Sequence, residues 1–230
     1  MTNNLNIPPK ISIEGKPKYI NIGDEHNFFE LFRKIERNFV NCFLFESLGE
    51  ESNISRYHIL GFDPKYILHS ENNNQLVLEN TKNGDIYKYD CENPYLKLRD
   101  VVPQNIISRK YAGGLVGFIS YDSINYFENS LNIKKNKNFE SFKFGVYLDG
   151  LIYDQMTGEI FYYYYEDNRI QEITKILNHS YSFNEGVKTK FIKDSISKDE
   201  HRKTVLKIKE DIKKGLIFQC EVGFKSHYEI

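Results

Sequence analysis

The chain contains no tryptophan and a single alanine, Ala112, among its 230 residues. It has three cysteines, Cys42, Cys91 and Cys220, an odd number at wide spacing with no Cys-x-x-Cys pair. That pattern excludes a disulfide framework and reads as a reducing compartment. No apolar run approaches the ~20 residues of a membrane helix. The start, Met1-Thr2-Asn3-Asn4-Leu5, lacks a basic stretch followed by an apolar one. No secretory leader is read there, and a cytoplasmic protein is expected. Neither sign of charge dominates: 31 basic against 32 acidic residues leave a net charge of -1. The balance argues against nucleic acid or an anionic membrane as partner. Lys134-Lys135-Asn136-Lys137 reads as a solvated loop. The six histidines show no metal-binding spacing, and no phosphate-binding glycine loop or Gly-x-Ser-x-Gly elbow occurs. No metal site is expected in this chain.

What is present is a 40% apolar fraction, enough for a sizeable core. Phe28, Leu31, Phe32 and Ile35 recur at helical spacing and predict a helix over about 25–38, capped by Asp24. Strands are expected at about 41–47 and 57–62, the second ending at Asp63-Pro64. Two more flank Thr81-Lys82-Asn83-Gly84, a stretch with hairpin chemistry. Asn93-Pro94 opens a short helix, with proline where no N–H is needed. Further strands are expected at about 143–153 and 159–165, around a Met156-Thr157-Gly158 turn, and then a helix at about 167–178. The polar segment 179–197 reads as a crossing between domains. Ser197-Lys198-Asp199-Glu200 is a capping box, and Gly215 supplies a left-handed stop for the helix that comes after it. A strand is expected from Leu216 onward. This last helix and strand cannot bury their apolar faces on each other alone, so the chain reads as cut.

Three glycines interrupt an apolar strand in Gly113-Gly114-Leu115-Val116-Gly117-Phe118-Ile119. Glycine in a strand marks a bulge or a close approach of another backbone. Ser120-Tyr121-Asp122-Ser123-Ile124-Asn125-Tyr126-Phe127-Glu128 then changes to helical spacing, with Ser120 as cap. The whole block resembles the GGxxGYxSYDxxRYFE segment of the anthranilate synthase component I family, with Asn125 where that family often has arginine. In that family the block belongs mainly to the N-terminal domain and is not the catalytic signature; here it reads as a packing element.

Leu44-Phe45-Glu46-Ser47 and the returning Arg56-Tyr57-His58-Ile59-Leu60-Gly61-Phe62-Asp63-Pro64 bring a carboxylate, a hydroxyl and a guanidinium to strand ends. Such a set can hold the ammonium and carboxylate of a free amino acid. It can equally be a strand-end ion pair and cap. The two segments are similar to the LLES element and its RYSxIGxDP continuation in the same family. By that resemblance Glu46 and Ser47 contact the feedback inhibitor L-tryptophan, with Arg56 as a third member. Phe45 and His58 depart from the family's usual Leu and Ser. The NPSPYMYY-like segment that completes the family's tryptophan site has no counterpart in these residues.

Gly215-Leu216-Ile217-Phe218-Gln219-Cys220-Glu221-Val222 resembles the GDIFQVVLSRR element that opens the family's chorismate-binding domain. Related isochorismate and salicylate synthases carry lysine at the Gln219 position, where it is thought to activate water. Glutamine goes with the enzymes that add ammonia. Gln219 is therefore the residue expected beside the reacting centre, with Gly223 and Phe224 replacing the family's Ser-Arg.

The expected fold is α+β. Residues 1–185 form an antiparallel sheet domain with helices, 186–196 a linker, and 197–230 the first helix and strand of a chorismate-binding α/β domain. The resemblance implies a lyase that converts chorismate and ammonia to anthranilate and pyruvate. It further implies Mg²⁺ held by acidic residues of the C-terminal half, a glutamine amidotransferase subunit as partner, and L-tryptophan as inhibitor. This portion by itself is expected to be inactive. Aminodeoxychorismate synthase component I and a stand-alone amino-acid-binding module remain alternatives.

Overall fold

The computed structural model describes residues 10–13, 15–23, 27–49, 55–71, 74–102, 113–128, 130–135, 138–182 and 186–230. The chain divides into two compact units, Met1–Ser180 and Tyr181–Ile230. The first is built on two five-stranded antiparallel sheets. One sheet holds β1 (Lys18–Gly23), β10 (Glu159–Tyr164), β9 (Asp149–Asp154), β3 (Tyr57–Phe62) and β2 (Cys42–Phe45), in that order. The other holds β6 (Ile86–Asp90), β5 (Gln75–Asn80), β4 (Tyr66–Ser70), β8 (Phe142–Tyr147) and β7 (Gly114–Ile119). The α+β expectation holds.

Helix α1 (Phe28–Glu36) starts at Asn27, whose side chain accepts from the N–H groups of Phe29 and Glu30. Asp24, expected in that role, lies outside the described residues. Phe28, Leu31 and Ile35 form the buried stripe of α1, as their spacing predicts. They pack with Ile173 and Leu177 of α3 (Ile170–Asn178) against Leu60, Phe62, Leu151, Ile160 and Tyr162 of the first sheet. Helix α2 (Pro94–Val101), capped by Asn93, packs Leu98 and Val101 onto Leu68, Leu76, Leu78, Phe142 and Val146 of the second sheet. Each such side chain contributes roughly 1.5–3 kcal/mol by leaving water.

The expected strand over 143–153 is two strands in two sheets. Leu148 separates β8 from β9 and is the second of two places where the chain passes between the sheets; the first is Asp63-Pro64-Lys65, between β3 and β4. Arg169 holds both. Its Nε and Nη2 donate to Asp149 at 2.9 Å each, and its Nη1 donates to Asp63 at 2.6 Å. The Tyr162 hydroxyl donates to Asp149 as well, at 2.9 Å. The guanidinium lies 5.5 Å from the Phe39 ring centre and 5.4 Å from that of Phe62. Burial works against the Arg169 charge, but Asp149 and Asp63 outweigh it and push its pKa up. Burial also pushes the Asp149 carboxyl up, against the pull of Arg169 and of the Tyr162 hydroxyl.

The glycine block behaves as a close-approach strand. A Cβ on Gly117 would sit 1.9 Å from the Lys143 carbonyl oxygen of β8, so a side chain there must break the β7–β8 ladder. Residues Tyr121–Tyr126 form a 3-10 helix rather than an α-helical turn. Ser120 stands at its cap position but makes no capping bond, since its hydroxyl faces the Asp122 carboxylate and the Ser141 carbonyl. Asn125, the departure from the family pattern, pairs its amide with both the N–H and C=O of Ile133, at 3.0 and 2.8 Å.

In the second unit the capping box forms as expected: Ser197 and Glu200 satisfy each other's backbone N–H at the start of α4 (Lys198–Lys213). Gly215 has φ +72°. The Gly215 N–H reaches the Ile212 carbonyl and the Leu216 N–H reaches the Asp211 carbonyl, the two bonds of a Schellman stop. The expected strand at Leu216 does not form, because no neighbouring strand among the described residues pairs that backbone. The strand is β12 (Ser226–Glu229), paired with β11 (Lys190–Asp194), which lies within the segment read as a crossing. No residue of α4 is buried.

Replacing Arg169 by methionine leaves two carboxylates facing each other across the sheet junction. The expected loss is about 3–5 kcal/mol of unfolding free energy at neutral pH. Urea unfolding followed by tyrosine fluorescence measures it, and adding Asp149→Asn to the same chain should restore part of the loss.

Candidate functional site

Strands β2, β3 and β9 lie side by side, with Phe45 opposite Ile59 and Tyr57 opposite Asp154. Antiparallel pairing therefore brings the end of β2, the start of β3 and the end of β9 to one rim of the sheet. Glu46 and Ser47 come directly after β2, Arg56 precedes β3, and Gln155 comes directly after β9. The structure brings three of the predicted residues, Glu46, Ser47 and Arg56, to this rim.

Their geometry is specific. The Ser47 hydroxyl donates to the Tyr57 carbonyl at 2.9 Å. The Glu46 carboxylate is 37% exposed and lies 3.7 Å from Nδ1 of His58, too far for a hydrogen bond. His58 itself packs edge-on against Phe28 and Tyr153. Arg56 is committed to Asp154: Nε lies 2.9 and 3.0 Å from the two carboxylate oxygens and Nη2 lies 2.6 Å from one of them. Asp154 is buried and Arg56 partly exposed. The hydrogen bond to Asp154 raises the Arg56 pKa and keeps the guanidinium charged. Arg56 also stacks over the Tyr57 ring at 5.0 Å.

Two residues of this rim were missed in the sequence. Asp154 accepts from Arg56 and also from the Met156 N–H at 3.1 Å, and its carbonyl accepts from Gly158 at 2.8 Å. Gln155 donates from its side chain to the carbonyls of Ser47 at 3.0 Å and Ser55 at 2.9 Å. The Asp-x-x-x-Gly turn that carries them is visible in the sequence, but its partners are about a hundred residues away.

Gln219 sits in the second unit, exposed, in the irregular stretch between α4 and β12. Among the described residues no group of three or more His, Cys, Asp or Glu could hold a metal ion. No described helix is long and apolar enough to cross a membrane.

Known proteins share this sequence pattern. A family model described as chorismate binding enzyme matches residues 40–228. An anthranilate synthase component 1 of Leptospira biflexa is 39% identical over 227 residues, covering 96% of this chain and 48% of that protein. An anthranilate synthase component 1 of Methanothermobacter thermautotrophicus is 31% identical over 202 residues, covering 88% of this chain and 42% of that protein. A crystal structure of anthranilate synthase component I from Streptococcus pneumoniae superposes with a TM-score of 0.47 and 22% identity, over 73% of this chain and 40% of that one. The chain thus spans about half the length of the curated relatives it matches.

Removing Arg56 takes the cationic partner from the buried Asp154 carboxylate and leaves it the neutral Met156 N–H. In Arg56→Met that carboxyl should hold a proton to higher pH folded than unfolded, so the variant regains stability as pH falls. The deficit in Tm against the wild type should be large near pH 7 and shrink towards about pH 5. A constant deficit across that range would remove the pairing role.

Proposed function

The chain belongs to the chorismate-binding enzyme family, and from that premise we propose that it is the N-terminal, regulatory part of an anthranilate synthase component I. The whole enzyme in this reading adds ammonia to C2 of chorismate, eliminates the C4 hydroxyl and releases pyruvate to give anthranilate. A glutamine amidotransferase subunit supplies the ammonia. Mg²⁺ would belong to acidic residues outside this chain's described set. Gln219 contributes a neutral amide, which can hydrogen-bond the substrate without generating hydroxide from water. That is the chemistry an ammonia-adding enzyme requires of the position. Two curated relatives of that name, at 39% and 31% identity, support the reading.

The regulatory half of the proposal is carried by the Ser47 hydroxyl. A serine hydroxyl has one proton to donate and two lone pairs to accept with. Its proton goes to the Tyr57 carbonyl, so what Ser47 offers outward is acceptor capacity. The neighbouring Glu46 carboxylate is acceptor-only when ionised. Two adjacent acceptors, one of them charged, suit the α-ammonium of a free amino acid, here L-tryptophan. Arg56 does not take the ligand carboxylate in this reading; it holds Asp154 and with it the rim.

Two measurements test the proposal. Residues 1–230 with chorismate, ammonium and Mg²⁺ should give no anthranilate fluorescence, and turnover would overturn the division into a regulatory part and a separate catalytic one. L-tryptophan titrated into the same chain should give a saturable calorimetric signal. Ser47→Ala and Glu46→Gln should each weaken it by about tenfold, the scale of one lost charge-assisted bond. An absence of binding by the wild-type chain would refute the reading that these residues hold L-tryptophan by themselves.

A further inference from the structure

Gln155 ties together the two ends of the chain that runs from β2 to β3. Its side-chain amide has two N–H groups, and they go to two carbonyls eight residues apart, Ser47 at 3.0 Å and Ser55 at 2.9 Å. Its backbone N–H donates to a third carbonyl, that of Arg56, at 2.9 Å. One residue thus satisfies three carbonyls at the rim of the sheet. Gln155 is itself well held. It stands between β9 and the turn closed by the Gly158 N–H on the Asp154 carbonyl, and Asp154 is fixed by Arg56.

We infer that Gln155 is a positioning residue for the Glu46–Ser47 pair, an inference that rests on the reading of that pair as the ammonium acceptor for L-tryptophan. Ser47 is held at two atoms. Its carbonyl is fixed by Gln155 and its hydroxyl by Tyr57. The first bond sets the direction in which the backbone leaves Ser47, and the second sets the side-chain rotamer. Together they point the lone pairs of the hydroxyl one way before any ligand arrives. A ligand that meets a preset acceptor does not have to order it, and affinity rises by the ordering cost avoided. With the Gln155 bond lost, Ser47 is held at one atom only. The same amide is also selective in its polarity. Glutamate has the shape of glutamine but would set one carboxylate oxygen, an acceptor, against both carbonyl oxygens in place of the donating nitrogen, so the isosteric change should open the rim rather than preserve it.

The test uses the 230-residue chain, L-tryptophan as the probe, and thermal unfolding as the control. Gln155→Met removes both donors and keeps the length; it should raise the L-tryptophan Kd about tenfold with unfolding still cooperative. Gln155→Glu should raise the Kd at least as much. Gln155→Lys supplies ammonium donors that can reach both carbonyls, and it should return the Kd to within about threefold of wild type. If Ser47→Ala loses binding while Gln155→Met and Gln155→Glu bind like the wild type, the positioning role is overturned and the ammonium reading stands. If Gln155→Lys restores Tm but not affinity, Gln155 serves the fold alone and the inference fails. If the wild-type chain binds no L-tryptophan, the ammonium reading fails, and the positioning role that rests on it fails with it.

Discussion

Arg169 binds Asp149 and Asp63 at the two places where the chain leaves one sheet for the other. The two five-stranded sheets of the first unit share no strand, so their join depends on these crossings. Backbone bonds reinforce them: the Lys65 N–H reaches the Val146 carbonyl and the Tyr165 N–H reaches the Leu148 carbonyl. A guanidinium is suited to this task because its planar fork meets two carboxylates at once and its faces pack on Phe39 and Phe62. A buried ion pair adds little net stability compared with apolar packing of the same volume, while losing one partner is costly. The clamp therefore specifies one arrangement more than it strengthens it. Other ways of folding the segment from Phe142 to Asp154 would leave Asp149 buried without a cation.

The same device recurs at the other end of β9. This strand is the middle one of its sheet, and it begins and ends with an aspartate. Arg169 locks Asp149 and Arg56 locks Asp154. With both ends fixed the register of β9 cannot slip, and the residue after Asp154 is placed with it. That residue is Gln155. The chain of dependence runs from the sheet junction through the central strand to the rim, where Gln155 holds Ser47. This is a mechanical link between a structural clamp and a candidate binding residue.

Local chemistry was legible in the sequence and distant partnership was not. The Ser197–Glu200 box, the Asn93-Pro94 start, the hairpin around Asn83-Gly84 and the stop at Gly215 each depend on residues within a few positions, and each is found. Gly117 announces a close approach without saying to what; the answer is the backbone of Lys143. The run from Phe142 to Asp154 carries no proline and its glycines fall within the strands, so nothing local announces the break at Leu148. The break is set by which sheet each half pairs with. Strands β1 and β4, Lys18–Gly23 and Tyr66–Ser70, are not among the expected elements. The strand expected at Leu216 had apolar residues enough but no neighbour. Of the candidate site, Glu46, Ser47 and Arg56 were found through a resemblance, whereas Asp154 and Gln155, 98 and 108 residues from the groups they bind, left no local sign.

The position of the site derives from a general constraint on sheets. Every backbone carbonyl needs a donor, and in the interior of a sheet the ladder supplies it. At a rim the ladder ends, and the carbonyls of Ser47, Ser55 and Arg56 lie past the strand ends, with that of Tyr57 at the first position of β3. Here they are satisfied by Gln155 and by the Ser47 hydroxyl. Satisfying Tyr57 in this way uses the only proton of the Ser47 hydroxyl. The serine is left as an acceptor close to the Glu46 carboxylate. A requirement of the fold, completing the hydrogen bonds at a strand end, thereby sets the polarity of the candidate site.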